Sequence, residues 1–223
     1  MSNAPISIEA LVDPVERPGL IAAAEQLSAC LGAAAGGGDW PMRLHFREPG
    51  GEVPVEAPPT LIVTSLLPEV SRAEPIAETD ARWRAYLERL KATGAPVFVC
   101  TVFRRLTDRP SAGTPSPVLE RIRRLNHMVV DLSHGLDVGV IDLDRVMAHI
   151  GGRVLNTDYR LPGVLAAEVA GHTAAWAILS YGLDDAVDPT LQEKAKEVLG
   201  GLQQIDAVVS RRLNLRRARA AGG

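Results

Sequence analysis

Thr60-Leu61-Ile62-Val63-Thr64-Ser65-Leu66-Leu67 is an apolar run broken only by small hydroxyl residues. It is too short for an amphipathic helix and too continuous for a strand with one wet face. Its β-branched centre marks a strand buried on both sides, the kind found in the middle of a parallel sheet. The Pro/Gly-rich stretch from Glu48 to Pro59 sets it off from what precedes.

Working outward, Ile6 to Val12 alternates and stops at Asp13-Pro14, and a helical pattern runs from Gly19 through Leu31. Met42 to Phe46 reads as a second short strand after Gly36-Gly37-Gly38. Trp83, Leu87 and Leu90 fall at helical spacing, with Thr79 as the expected cap and Gly94 as the terminator. Pro96 to Phe103 is the next strand. Ser116-Pro117 is a cap followed by proline at the first helical position, and Val118, Ile122, Leu125, Val129 and Leu132 form the buried stripe up to Gly135. Leu136 to Leu143 reads as the last strand, and a helix follows from Pro162 to Tyr181. A final helix from Asp188-Pro189 carries Leu191, Ala195, Val198, Leu202, Ile205 and Val209 on one stripe. Strands alternating with helices predict a three-layer α/β/α sandwich with a parallel sheet of about five strands, because crossovers between parallel strands must pass over the sheet faces. The whole chain, 1–223, reads as a single α/β domain, with 188–219 a C-terminal helix ending in a basic tail.

A net charge of -3 over 223 residues gives no broad positive field, so nucleic-acid binding is not expected. Cys30 and Cys100 are the only thiols and make neither a disulfide framework nor a zinc site on their own. The first thirty residues hold Asp13, Glu16 and Glu25 rather than a basic start and apolar run, and no stretch is long enough to span a bilayer, which predicts a cytoplasmic protein.

In an open α/β sheet the ligand crevice forms at the carboxyl ends of the strands. That rule nominates Asp13, Ser65 with Glu69, Thr101 with Arg104 and Arg105, and Asp142 with Asp144. The long connection Leu106 to Ser116 is the candidate lid. Each nominee also has a local reading: Asp13 as a helix cap, Ser65 as a turn residue, the arginines as solvated side chains or an anion clamp. Asp142-Leu143-Asp144 is half a metal site at best, so no metal and no cofactor are expected.

Three passages resemble the SGNH/GDSL hydrolase family: Leu87 to Phe103, Arg124-Leu125-Asn126 through the strand to Asp142, and Asp158 through Gly163. The likeness covers roughly the C-terminal two thirds. It implies an SGNH or flavodoxin-like sandwich, with a serine after the first strand, a histidine in an Asp-x-x-His turn and an aspartate to orient it. This chain departs from that pattern twice. Leu11-Val12-Asp13-Pro14 stands where the family has Gly-Asp-Ser, and Asp158-Tyr159-Arg160-Leu161 keeps the aspartate but puts leucine in the histidine position. Thr64-Ser65-Leu66-Leu67-Pro68-Glu69 also replaces the family's Gly-x-Asn-Asp block. Loss of a nucleophile or base costs a triad about 10⁶ in turnover.

The resemblance therefore implies an accessory protein rather than a conventional esterase, akin to small SGNH-type proteins found with bacterial exopolysaccharide and cellulose synthesis. Asp13, Ser65, Arg104, Asp142 and Asp158 are the expected ligand-binding residues for a carbohydrate or nucleotide sugar. The competing expectation is a carbohydrate esterase or acyltransferase with Ser65 as nucleophile, Asp158 as orienting carboxylate, and His149 or His172 as base. A third is an interaction module using Arg211 to Arg219, five arginines in nine positions, to meet a protein partner.

Overall fold

The computed structural model describes residues 4–53, 58–107, 116–201, 204–207, 209, 210 and 214. Five strands, β1 (Ile6–Leu11), β2 (Met42–Arg47), β3 (Leu61–Ser65), β4 (Val97–Cys100) and β5 (Gly139–Ile141), form one parallel sheet in the order β2-β1-β3-β4-β5. β3 is the central strand and every one of its residues is buried, as its composition requires.

The helices are α1 (Arg17–Ala34), α2 (Ile76–Lys91), α3 (Pro117–Leu136), α4 (Leu143–Ile150), α5 (Gly152–Leu155), α6 (Val164–Tyr181) and α7 (Pro189–Leu199). Two apolar layers fill the space on either side of the sheet. Ile8, Ala10, Leu61, Val63 and Cys100 pack with Leu20, Leu27, Val169 and Ile178 of α1 and α6. Leu11, Ile62, Val97 and Val99 pack with Trp83, Leu87, Leu125 and Val129 of α2 and α3. Alternate residues of one strand thus feed opposite layers, the period-two rule of a sheet buried on both faces. The fold is the expected three-layer sandwich.

Several boundaries differ from the sequence reading. Thr79 does not cap α2: the helix begins at Ile76, and the buried Thr79 hydroxyl donates to Pro75 O inside the first turn. α3 runs past Gly135 to Leu136, and Asp137 closes it in the left-handed conformation at φ 52°. This leaves β5 only Gly139–Ile141 of the expected strand, and Leu143 opens α4, a helix that periodicity did not reveal. The final helix is not continuous. It stops at Leu199, where Gly200 takes φ 72°, and residues 204–207 resume as helix. The five arginines of the tail and most of the candidate lid, 108–115, lie outside the described residues.

Candidate functional site

The connection leaving β1 goes to one face of the sheet and that leaving β3 to the other, so the carboxyl ends of these neighbouring strands frame the switch-point crevice. Asp13 lies at the first of these ends. Its carboxylate accepts from Val15 N at 3.0 Å, and its own N–H donates to Glu16 Oε2 at 3.1 Å, a reciprocal capping box ahead of α1. The local reading of Asp13 is therefore the observed one.

Glu16 was not singled out by sequence, yet it organises this end of the sheet. Its other oxygen, Oε1, accepts the Ser65 hydroxyl at 2.5 Å, and Leu67 N donates to the same Ser65 Oγ at 3.0 Å. Although the residue is partly exposed as a whole, its carboxyl is turned inward and desolvated. Burial raises its pKa to about 7, against the lowering effect of the Ser65 and Asp13 hydrogen bonds. Beside it lies a small, mostly apolar pocket of ≈ 30 Å³, lined by Val12, Leu20, Cys100, Leu143, Leu161 and Ala174 among others. That volume suits one or two waters. Burial and the nearby Glu16 carboxyl push the Cys100 thiol up, and burial raises Cys30 to about 11, so both are poor nucleophiles.

At the ends of β4 and β5 a second group forms. Asp142 caps α4 by accepting Arg145 N, and it also accepts the Thr101 hydroxyl. Asp144 accepts Arg104 N at 2.9 Å and pairs with the Arg104 guanidinium at 2.5 Å. Arg104 is thus fastened rather than free, and Asp142 serves a helix end. A third group surrounds Asp158, whose carboxylate accepts from Thr107 Oγ1, Arg160 N and the Arg160 guanidinium. Among the described residues no side-chain hydrogen bond links these three groups, so the five expected ligand residues do not form one hydrogen-bonded cluster.

Neither candidate base reaches Asp158 or Ser65. His149 pairs with Asp206 at 3.1 Å, and His172 Nε2 lies 2.8 Å from Gly200 O, with burial lowering its pKa. Among the described residues, Leu161 sits three positions after Asp158 at φ 52° and lines the small cavity that Glu16 also borders. The aspartate of the turn is present, and three residues on stands a partly buried alkyl chain.

On the opposite side of β3 is a polar cleft of ≈ 290 Å³ lined by Gly50, Thr64, Ser65, Glu69, Arg72, Arg82, Trp83, Tyr86 and Arg89. Arg82 spans Glu69 and Glu74, which raises its pKa and lowers that of Glu74. Arg121 from α3 donates to the backbone carbonyls of the same two glutamates, at 2.6 Å each. Asn126, in the stretch that resembled the family, clasps Val102 after β4 by two bonds, Val102 N to Oδ1 at 2.9 Å and Nδ2 to Val102 O at 2.8 Å.

Solved structures share this fold. An acetyl xylan esterase variant from Geobacillus stearothermophilus superposes with a TM-score of 0.58 over 81% of this chain and 96% of its own, at 12% identity. A lipase/acylhydrolase from Enterococcus faecalis gives 0.55 over 78% and 95%, at 16% identity. A protein described as a GDSL-like lipase from Parabacteroides merdae gives 0.58 over 79% and 97%, at 12% identity. The chain has the SGNH/GDSL hydrolase fold. No family model and no curated protein matches the sequence, so the likeness is one of architecture. In this chain Pro14, which has no hydroxyl, opens the first crossover, and the turn before α6 carries Leu161. No helix among the described residues is long and apolar enough to cross a membrane.

Proposed function

We propose that this chain is a non-hydrolytic SGNH-fold accessory protein that holds a carbohydrate or nucleotide-sugar ligand at the strand ends without turning it over. The observation that carries this reading is Leu161, an alkyl group three residues after Asp158 where acyl transfer needs a proton acceptor, with His149 and His172 both engaged elsewhere. A place beside polysaccharide-synthesising enzymes rests on family likeness alone.

One contact favours a second reading. Ser65 Oγ donates to Glu16 at 2.5 Å, and a carboxyl with a pKa near 7 is tuned for proton transfer at neutral pH. In that case Ser65 Oγ would bond to the acyl carbon while its proton passes to Glu16, which would return it to the departing alcohol. Against this, Ser65 is only 1% exposed and its oxygen already accepts Leu67 N.

A panel of acetylated sugars and p-nitrophenyl acetate, run beside thermal-shift titrations with unacetylated sugars, separates the two. The accessory reading expects no turnover above buffer together with a ligand-dependent shift. Turnover abolished in Ser65→Ala would replace it with the esterase reading.

A further inference from the structure

The cleft beside β3 is built from donors and positive charge, and nothing in the protein uses all of them. Four guanidinium groups, Arg72, Arg82, Arg89 and Arg121, surround it or brace its wall, against the two carboxylates of Glu69 and Glu74. Arg82 is spent on both carboxylates. Arg89 makes no ion pair among the described residues; it lies over the Tyr86 ring at 5.7 Å and otherwise touches Ala85 O at 3.4 Å.

Two buried polar atoms provide an independent sign. Trp83 and Tyr86, 3% and 6% exposed, meet edge to face and both line the cleft. Trp83 Nε1 and the Tyr86 hydroxyl have no hydrogen-bond partner among the described residues. Thr64 and Gly50 stand near enough to the phenol to offset part of the rise that burial causes in its pKa, but neither completes a well-formed bond. Buried donors left without partners are uncommon and costly in folded proteins. An indole N–H can only donate, so its missing partner must be an acceptor.

We propose that this cleft takes the anionic group of a monosaccharide-sized ligand, a sugar carboxylate or a sugar phosphate. The charge meets Arg89 and Arg72, and acceptor oxygens reach Tyr86 and Trp83. A volume of ≈ 290 Å³ has room for a ring as well as its charged group. The inference rests on the binding reading given above and narrows it to acidic sugars.

The test is calorimetric titration of the full chain with glucuronate, glucose 1-phosphate, glucose and inorganic phosphate, at low and high salt. At least one of the two acidic sugars should bind more tightly than glucose and than inorganic phosphate, and should weaken as salt rises. Arg89→Gln should weaken it about tenfold or more, as expected for a lost charge-assisted bond. Tyr86→Phe should weaken it several-fold without lowering the melting temperature, because the hydroxyl it removes completes no hydrogen bond among the described residues. That last result separates a ligand contact from a structural one.

Glucose binding as tightly as both acids, inorganic phosphate matching glucose 1-phosphate, no acidic sugar binding at all, or both variants binding like the parent protein would each overturn the proposal. None of the four probes is a carboxylic ester, so the result is read independently of any acyl-ester hydrolysis. Glucose binding untouched by the variants removes the acidic-sugar inference and leaves the binding reading in place. Ester turnover lost in Ser65→Ala would do the reverse.

Discussion

Ser65 Oγ donates to Glu16 Oε1 at 2.5 Å, joining the carboxyl end of β3 to the turn that follows β1. The two residues are 49 positions apart in sequence and meet because parallel pairing sets Leu11 opposite Thr64. This contact ties together the two strand ends that frame the switch-point crevice. It also stores a titratable group inside the protein.

Stability should fall with rising pH because of Glu16. An unfolded glutamate loses its proton near 4.5, whereas the folded carboxyl keeps it to about 7. Between those values the folded state holds the extra proton, so this group's contribution declines as pH rises, by roughly 3 kcal/mol, and is flat above. Urea unfolding from about pH 5 to pH 8 should show this slope reduced in Glu16→Gln. An unchanged slope would mean that Glu16 is not the group responsible.

His172 should act in the opposite sense. Burial lowers its pKa below 6.5, so the unfolded chain takes up the proton first as pH falls. Stability from this group is present above the unfolded value and is lost on acidification below it. Since its ring bonds Gly200 O, His172→Phe should remove the acid-side loss and loosen the segment after α7, read as faster amide exchange at residues 204–207.

Asn126→Ala should destabilise the protein by about 2–3 kcal/mol, since it orphans both the N–H and the carbonyl of Val102, which is 2% exposed. Chemical denaturation measures this directly, and a loss below about 0.5 kcal/mol would show that water takes over the clasp.

A close helix contact provides another test. A Cβ on Gly171 of α6 would come within 2.6 Å of Ala22 Cβ and 2.8 Å of Ala23 N on α1. Gly171→Val should therefore cost about 1–3 kcal/mol or more by overpacking. Gly171→Ala should cost less, and combining it with Ala22→Gly should recover part of that smaller loss, a coupling that independent sites would not show.

What the sequence disclosed followed from local pattern. The run at Leu61–Ser65 declared a central strand, and Ser116-Pro117 declared the start of α3, because composition and capping act within a few residues. Asp13 was legible as a cap for the same reason. Glu16 was not, since its partner is brought near only by the sheet. α4 was hidden because Leu136 to Leu143 continues an apolar pattern across a helix end, a three-residue strand and a new helix start, and the left-handed Asp137 carries no strong signal. Gly200-Gly201 was the visible warning in the last helix, and the apolar stripe outweighed it. Asp142 directly follows β5, whereas Arg104 lies four residues beyond the end of β4 at Cys100, and their engagement with the α4 backbone and Asp144 depends on that unseen helix.

The central claim is that no activated hydroxyl serves acyl chemistry here, and reaction with a fluorophosphonate, which captures activated serines, tests it most directly. Intact-mass measurement after incubation should show the unmodified chain, in both the parent protein and Leu161→His, because Pro14 offers no oxygen for the restored imidazole to activate. A stoichiometric phosphonyl adduct mapped to Ser65 and lost in Glu16→Gln would contradict the account and establish a serine-carboxyl pair as the working catalyst.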